Sequence, residues 1–216
     1  MKQVSTLIKK DFMLEWRQKH TLYGILLYVS CTAFLIYMMS GQPESRVWNA
    51  LFWIAQLFIT VNSVAKSFLQ EGEGRARYYF TLVRPAHYLA AKMIYSAGLM
   101  LLVTLLSLAL FNLLLGNPAK DGWVFLLIAT TGGVSLSVLF TFLSAIAAQA
   151  RQNAALMAIL GFPIAIPLLM ILSRLSLAIV ASVAQEGWGE LLLVLLGMDV
   201  LVVVLGLILF PFLWKE

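Results

Sequence analysis

Six long apolar runs are the feature that most limits what this chain can fold into. Each run reaches about 20 residues, the length of helix that crosses the hydrocarbon core of a bilayer. The chain is 62% hydrophobic and 12% charged, and a soluble domain would carry about twice that charged fraction. We therefore predict an all-α polytopic membrane protein with a single transmembrane domain over residues 1–216. The predicted spans are 21–40, 46–69, 88–115, 123–148, 153–172 and 191–213.

The distribution of lysine and arginine predicts the orientation of the spans. With the N-terminus in the cytoplasm, only Arg46, Lys120 and Arg174 of the 15 basic residues fall outside. This bias places both termini in the cytoplasm. It also explains the net charge of +5 without nucleic acid as a partner, because the basic residues lie where the topology needs them. No cleavable signal peptide is expected, since a charged segment precedes the first apolar run and no small-residue cleavage site follows it.

The longest polar interruption lies between the second and third spans. Gly72 and Gly74 loosen the backbone there, and Pro85 biases Arg84 away from helical angles, so a short helix fits only over residues 75–83. On a helical wheel one side of this helix is apolar and aromatic, and the other is basic and polar. The first side carries Ala76, Tyr79, Phe80 and Val83, and the second carries Arg75, Arg77, Tyr78 and Thr81. Pro85 suits the first turn of the next helix.

This short amphipathic helix has two interpretations. It is either a solvated connection that lies in the lipid interface or a lever that docks into a soluble partner and transmits the partner's motion. The residues alone leave both interpretations open. In either case the chain leaves the membrane, lays a helix along its surface and enters the membrane again.

Residues 1–20 form a predicted interfacial helix with two acids on its apolar side. Val4, Leu7, Ile8, Phe12 and Trp16 share one broad side, and Asp11 and Glu15 fall within it. A carboxylate in that position needs a partner such as Arg or Lys from a neighbouring segment or subunit. The alternative is a helix that lies shallowly, with both acids reaching water.

Polar residues inside the spans are candidates for helix contacts or for function. Asn49, Gln56 and Ser63 follow at seven-residue spacing on one face of the second span, a stripe that either joins helices or lines a path; we favour the first. Asp199 lies within the sixth span. An intramembrane acid is a functional candidate, but we favour an Asp that is hydrogen-bonded to a neighbouring helix or hydrated near the outer headgroups. A small-residue ribbon on the fourth span predicts close helix packing; it contains Gly133, Ser137, Thr141 and Ala145.

Two prolines one turn apart mark the fifth span. Pro163 and Pro167 each remove a backbone donor and clash with the preceding turn, which predicts a kink or a broken helix. A helix from Asn153 to Gln185 would be about 50 Å long, more than one span needs. We therefore predict that the span ends at residue 172 and that residues 175–185 form a separate external helix.

The sequence lacks the motifs of nucleotide hydrolysis, of intramembrane proteolysis and of metal binding. The sequence contains no phosphate-binding loop with the Gly-rich Lys-Ser/Thr pattern, so we expect no nucleotide hydrolysis by this chain. Cys31 is the single cysteine, which excludes an intramolecular disulfide and a multi-thiolate metal site. His20 and His87 both fall on the predicted cytoplasmic side, away from any intramembrane nucleophile or second ligand. We predict neither an enzyme nor a metal site.

Parts of the chain resemble the membrane subunits of known transporters. The loop between spans two and three and the later proline pair are similar to the membrane subunits of ABC-2 type transporters. Three stretches look more specifically like the haem exporter protein B family, CcmB, of the cytochrome c maturation system. They are ALFWIAQLFITVNSVAKSFLQE (50–71), RPAHYLAAKMIYSAG (84–98) and ILGFPIAIPLLM (159–170). The proline pair followed by Leu168 and Leu169 is the most specific of these.

The resemblance implies a permease subunit in a bacterial inner membrane. It implies a CcmA-like ATP-binding subunit, a CcmC-like haem-handling membrane subunit, a CcmD-like single-span protein and a CcmE-like haem chaperone, with two copies of this chain in the complex. ATP would then bind the partner ATPase and haem the partner proteins, with no cofactor on this chain. The candidate ATPase-coupling residues are Arg75, Arg77, Tyr79, Phe80, Val83, Arg84 and Pro85. An ABC-2 exporter of a lipid, drug or polysaccharide and a non-transport scaffold are the alternatives.

Overall fold

The computed structural model describes residues 2–17, 19–69, 85–116, 121–149, 154–180 and 188–213. Over those residues the chain forms seven α-helices and no β-strand, which confirms the predicted all-α class. In chain order the helices are α1 (Lys2–Arg17), α2 (Lys19–Ser40), α3 (Ser45–Leu69), α4 (Pro85–Leu115), α5 (Gly122–Gln149), α6 (Ala154–Val180) and α7 (Trp188–Leu213).

The six helices α2 to α7 are long and apolar enough to cross a membrane. A bilayer core offers no water to backbone N–H and C=O groups, so a spanning segment must satisfy them internally, as a helix does. The six predicted spans correspond in order to these helices, and the predicted number of spans is confirmed. Helix α1 differs because it is shorter, with 16 residues, and amphipathic. The orientation of the termini stays a prediction.

Local sequence signals set several helix ends. Gly41 follows α2 with φ 61°, and its N–H donates to the carbonyl of Tyr37 at 2.9 Å. Gly116 follows α4 with φ 81°. Glycine adopts this left-handed conformation without the strain a Cβ would add. Pro85 is the first residue of α4, where its missing N–H removes no intrahelical hydrogen bond.

Helix α5 is the centre of the bundle and packs against α3, α4, α6 and α7. Ser137 and Thr141 of its small-residue ribbon are fully buried. A Cβ added to Gly133 would overlap the Oγ1 atom of Thr104 in α4. Small side chains therefore allow α4 and α5 to approach closely, and the packing role predicted for this ribbon is confirmed.

An aromatic cluster fills the bundle near the end opposite the N-terminus. The Trp48 and Phe52 rings of α3 stack with their centroids 5.5 Å apart. Phe111 of α4 meets the Trp48 ring edge to face at 5.7 Å, and Phe125 of α5 meets Phe52 in the same way, also at 5.7 Å. Offset-stacked and edge-to-face aromatic pairs are the favoured geometries. The cluster thus fixes α3, α4 and α5 to one another at this end.

Helices α2 and α7 form the periphery. Most of their side chains face outward, including large apolar ones such as Leu27, Met38 and Val200, which suits lipid contact. Helix α2 packs on α3 and α4, and α7 packs on α4, α5 and α6. Helix α1 lies against α4 and α2, next to the first residues of α4.

Helix α6 differs from the prediction in length. It runs without a break from Ala154 to Val180, 27 residues, so the expected end at residue 172 and a separate helix beginning at residue 175 are wrong. Its length of about 40 Å is close to the full bilayer thickness including headgroups, which one tilted helix can occupy. The helix also continues through Pro163 and Pro167, which excludes the broken-helix alternative. Residues 181–185, the rest of the expected external helix, lie outside the described residues.

Candidate functional site

The predicted coupling segment lies outside the described residues. This applies to Arg75, Arg77, Tyr79, Phe80, Val83 and Arg84. The structure does describe the two helices that the segment joins, α3, which ends at Leu69, and α4, which begins at Pro85. Both helices contact the central helix α5.

Beside the start of α4 lies a buried ion pair between α1 and α4. Asp11 Oδ2 is 3.3 Å from Lys92 Nζ, and the two side chains are 8% and 4% exposed. Lys10 Nζ lies 3.0 Å from the other carboxylate oxygen, Oδ1. Asp11 thus has a basic partner from a neighbouring segment, which a carboxylate on the apolar side of α1 requires. The side chain of Glu15 lies outside the described ones.

The ion pair fixes how α1 is attached to the bundle. Leu7 lies one helical turn before Asp11 and is also buried, so an apolar and a charged contact follow each other along one stripe of α1. Lys92 lies two turns after Pro85, close to the point where the predicted coupling segment enters α4. A buried ion pair therefore joins α1 to the first turns of α4.

Asn49 joins α3 to α6 near the opposite end of the bundle. Its Nδ2 donates to the Ser173 carbonyl at 3.0 Å, and the Ser176 hydroxyl donates to its Oδ1 at 2.7 Å. The Trp53 indole N–H donates to the same Ser176 hydroxyl at 2.8 Å. All four side chains lie at the contact between α3 and α6, so this network attaches the part of α6 that extends beyond the predicted span.

Gln56 lies two helical turns from Asn49 in the middle of α3. It is 0% exposed, and neither its amide nitrogen nor its amide oxygen has a hydrogen-bond partner among the described residues. The buried hydroxyls of Thr104, Ser137 and Thr141 likewise have no hydrogen-bond partner within the described part of the chain. The predicted polar stripe on α3 therefore divides into an end bonded to α6 and a centre, Gln56, whose side-chain amide has no hydrogen-bond partner among the described residues.

Asp199 of α7 is bonded to the central helix. The Ser135 hydroxyl of α5 donates to Asp199 Oδ2 at 2.6 Å, and the Asp199 side chain is half-buried. A hydrogen bond from a neighbouring helix is one of the two arrangements favoured for this residue. The contact links a peripheral helix to the centre of the bundle within the apolar zone.

The two prolines of α6 lie on its outer surface. Pro163 and Pro167 are exposed, whereas Ala165 and Leu168 between and beside them are buried. The carbonyl groups that each proline leaves unpaired one turn earlier thus lie toward the outside of the bundle. The kink stays a prediction.

The described residues include no grouping of three His, Cys, Asp or Glu side chains that could hold a metal ion. His87 is half-buried in the first turns of α4, and Cys31 is exposed on α2. The described helices are joined by hydrogen bonds and an ion pair between residues that lie far apart in sequence.

Several partners of the predicted site residues were not predicted. Lys92 carried a usable signal, since it is a lone cation inside a long apolar run, two turns beyond Pro85. Ser135, Ser173 and Ser176 carried none, because hydroxyl side chains are common in membrane helices and reveal their partners only when the helices pack.

These features define an all-α polytopic membrane protein whose buried polar side chains join its helices. The CcmB protein family model matches residues 2–212, and the chain belongs to the CcmB family. No curated protein and no solved structure matches it. Membership makes the chain a permease subunit of the haem exporter ABC system of cytochrome c biogenesis, with no catalytic activity of its own.

Proposed function

We propose that this chain couples ATP hydrolysis on a separate subunit to haem delivery, or to release of a haem-loaded chaperone, at the outer face of a bacterial inner membrane. The family match over residues 2–212 is the observation that carries the proposal. It supplies the haem exporter system as the setting, and the chain's own sequence supplies no nucleotide-binding loop. Energy from ATP must then enter through contact with another protein.

The route of coupling is proposed to run through residues 75–83. Nucleotide-driven motion of the ATPase would move this helix, with Tyr79 and Phe80 as docking side chains and Arg75, Arg77 and Arg84 as charge partners. Val83 would complete the apolar side of the helix, and Pro85 would begin the rigid part of α4. Helices α3 and α4 flank the segment and pack on α5, which supports transmission toward the opposite end of the bundle.

The proposed assembly contains a CcmA-like ATPase, a CcmC-like haem-handling subunit, a CcmD-like single-span protein and two copies of this chain, and it acts on a CcmE-like chaperone. Haem is cargo of the partner proteins in this arrangement. Both termini and residues 70–84 face the cytoplasm in the proposed orientation. Motion of α6, which carries Pro163 and Pro167 and is attached to α3 through Asn49, would alter the outer contact with the haem-handling subunit.

The test is the covalent haem of c-type cytochromes. We expect membranes from a strain that lacks this gene to lose the haem stain of these cytochromes, and restoration of the gene to return it. An unchanged stain in the deletion strain would contradict the proposed function and would favour an ABC-2 exporter of another substrate.

The docking residues are tested by replacing Tyr79 and Phe80 with alanine together. If these rings fill pockets on the ATPase, we expect recovery of the ATPase with the purified membrane protein to fall by more than about tenfold. Membrane insertion should not change, because neither residue belongs to a span. The measurement is quantitative co-purification from membranes that contain equal amounts of each variant.

A matched control comes from the other side of the same predicted helix. Tyr78→Ala with Thr81→Ala removes one aromatic ring, where the Tyr79 and Phe80 variant removes two, and it shortens a second side chain on the basic, polar side. We expect this control to retain the ATPase. Normal recovery with the Tyr79 and Phe80 double variant would contradict the docking assignment, and equal loss in both double variants would indicate that the segment acts through its overall fold.

A further inference from the structure

A groove separates α1 from the first three turns of α4. Its volume is about 790 Å³, and it is open to the outside of the bundle. One wall is formed by Val4, Ile8 and Phe12, which follow one another at four-residue spacing on α1, and the other by His87, Ala90 and Ile94 of α4. The buried Asp11–Lys92 pair joins the same two helices. We call this space the α1–α4 groove.

The lining of the α1–α4 groove combines apolar walls with positive charge. Lys9 lines it together with Ser5 and the residues named above, and none of the described lining residues is acidic. The described carboxylate on this stretch of α1, that of Asp11, lies 3.3 Å from Lys92 and 3.0 Å from Lys10. Lys9 supplies a positive charge to the described lining, and this charge complements a negatively charged ligand.

The α4 wall of the groove is longer than a lipid headgroup layer is thick. It runs from His87 to Ile94, seven residues further along the chain, which is about 10 Å along the helix axis. This distance exceeds the thickness of one headgroup layer, roughly 5 to 8 Å on each side of the bilayer core. A ligand in the groove would thus have its polar part beside Lys9 and His87 and its apolar part beside Ile94, in the acyl region.

We propose that the α1–α4 groove binds an anionic phospholipid from the leaflet at the N-terminal end of the bundle. One acyl chain lies between the two walls, and the headgroup phosphate pairs with Lys9. Acyl chains are as apolar in the bilayer as in the groove, so their transfer gains little. The charge of the headgroup therefore decides which phospholipid binds in the groove.

The experiment uses the full chain in bilayer nanodiscs of equal parts dioleoyl phosphatidylglycerol and dioleoyl phosphatidylcholine. The two lipids have identical acyl chains, so any preference reports the headgroup. Lipids retained on the protein are identified and counted by native mass spectrometry. We expect phosphatidylglycerol to exceed phosphatidylcholine by about fivefold or more, and Lys9→Gln to reduce that ratio by about fivefold.

Arg17→Gln is the matched control for charge. Arg17 is exposed on the same helix but does not line the groove, so its replacement should leave the ratio unchanged. An equal decrease in both variants would show diffuse attraction to a basic surface and would overturn the proposal. Equal retention of the two lipids by the unaltered protein would overturn it as well, and would leave the groove for a partner protein.

The apolar part of the groove is tested by filling it. Ala90→Leu adds bulk to the α4 wall, whereas Ala109→Leu adds the same bulk to an exposed position further along α4. We expect Ala90→Leu to lower the number of retained phosphatidylglycerol molecules and Ala109→Leu to leave it unchanged. Retention that Ala90→Leu does not alter would overturn the placement of an acyl chain in the groove.

Discussion

Replacing Asp11 with alanine is expected to lower the free energy of unfolding by about 3 to 5 kcal/mol, which corresponds to a decrease in Tm of roughly 10 °C. The replacement takes away the carboxylate 3.3 Å from Lys92, whose side chain is only 4% exposed. Lys92 then keeps the desolvation penalty of a buried ammonium without the attraction of this carboxylate, which offset part of it. Thermal unfolding of the purified protein, followed by circular dichroism at constant detergent concentration, measures the effect.

Two further variants separate the ion pair from the individual side chains. Lys10→Gln removes the partner on the same helix, which is 24% exposed, and should change the free energy of unfolding by no more than about 1 kcal/mol. Asp11→Leu combined with Lys92→Met replaces both charges by apolar groups and should recover most of the lost stability. A double variant as unstable as the sum of its single variants would show that the two charges do not stabilise each other.

Replacing Gly132 with alanine is expected to destabilise the bundle, although alanine favours helix formation by about 1 kcal/mol over glycine. A Cβ at this position would lie 2.7 Å from Leu172 Cδ2 and would overlap the Trp53 ring. That ring cannot easily move away, because it is buried and its N–H donates to Ser176 at 2.8 Å. Overpacking of this kind costs about 1 to 3 kcal/mol, so we expect a decrease in Tm of roughly 5 °C.

Gly98→Ala provides the matched control for Gly132→Ala. Gly98 lies in α4, and a Cβ there would meet no atom within 4 Å. Its replacement should therefore keep or raise Tm, since only the gain in helix propensity remains. If both glycine variants changed Tm by the same amount, the close approach of the Trp53 ring to α5 would not be what limits the side chain at position 132.

Much of the fold could be predicted because its signals are local. The length and apolarity of each run decide whether it can cross a bilayer, and the predicted spans correspond in order to α2 to α7. Pro85 predicted where α4 begins, since its backbone geometry acts on adjacent residues. The end of α6 was predicted wrongly. A limit on span length does not take account of the bonds from Asn49 to Ser173 and Ser176, which hold the last turns of α6 against α3.

The candidate site was less predictable, because its contacts join distant residues. The position of Asp11 on the apolar side of α1 predicted either a basic partner or a shallow helix whose acids reach water, and Asp199 was a candidate for a bond to another helix. Neither prediction could select Lys92 or Ser135, because periodicity describes one helix at a time. The coupling function of residues 75–83 stays a prediction.

The sequence by itself determined the membrane class, the number of spans and the family, because these depend on runs and motifs that are read along the chain. Only the tertiary structure decided which buried polar groups are paired. Asn49 and Gln56 lie on one face of α3. The Asn49 side chain is nevertheless hydrogen-bonded to α6, whereas the side-chain amide of Gln56 has no hydrogen-bond partner among the described residues. The physical reason is that a buried polar group is stabilised by the atom opposite it, and packing alone decides which helix supplies that atom.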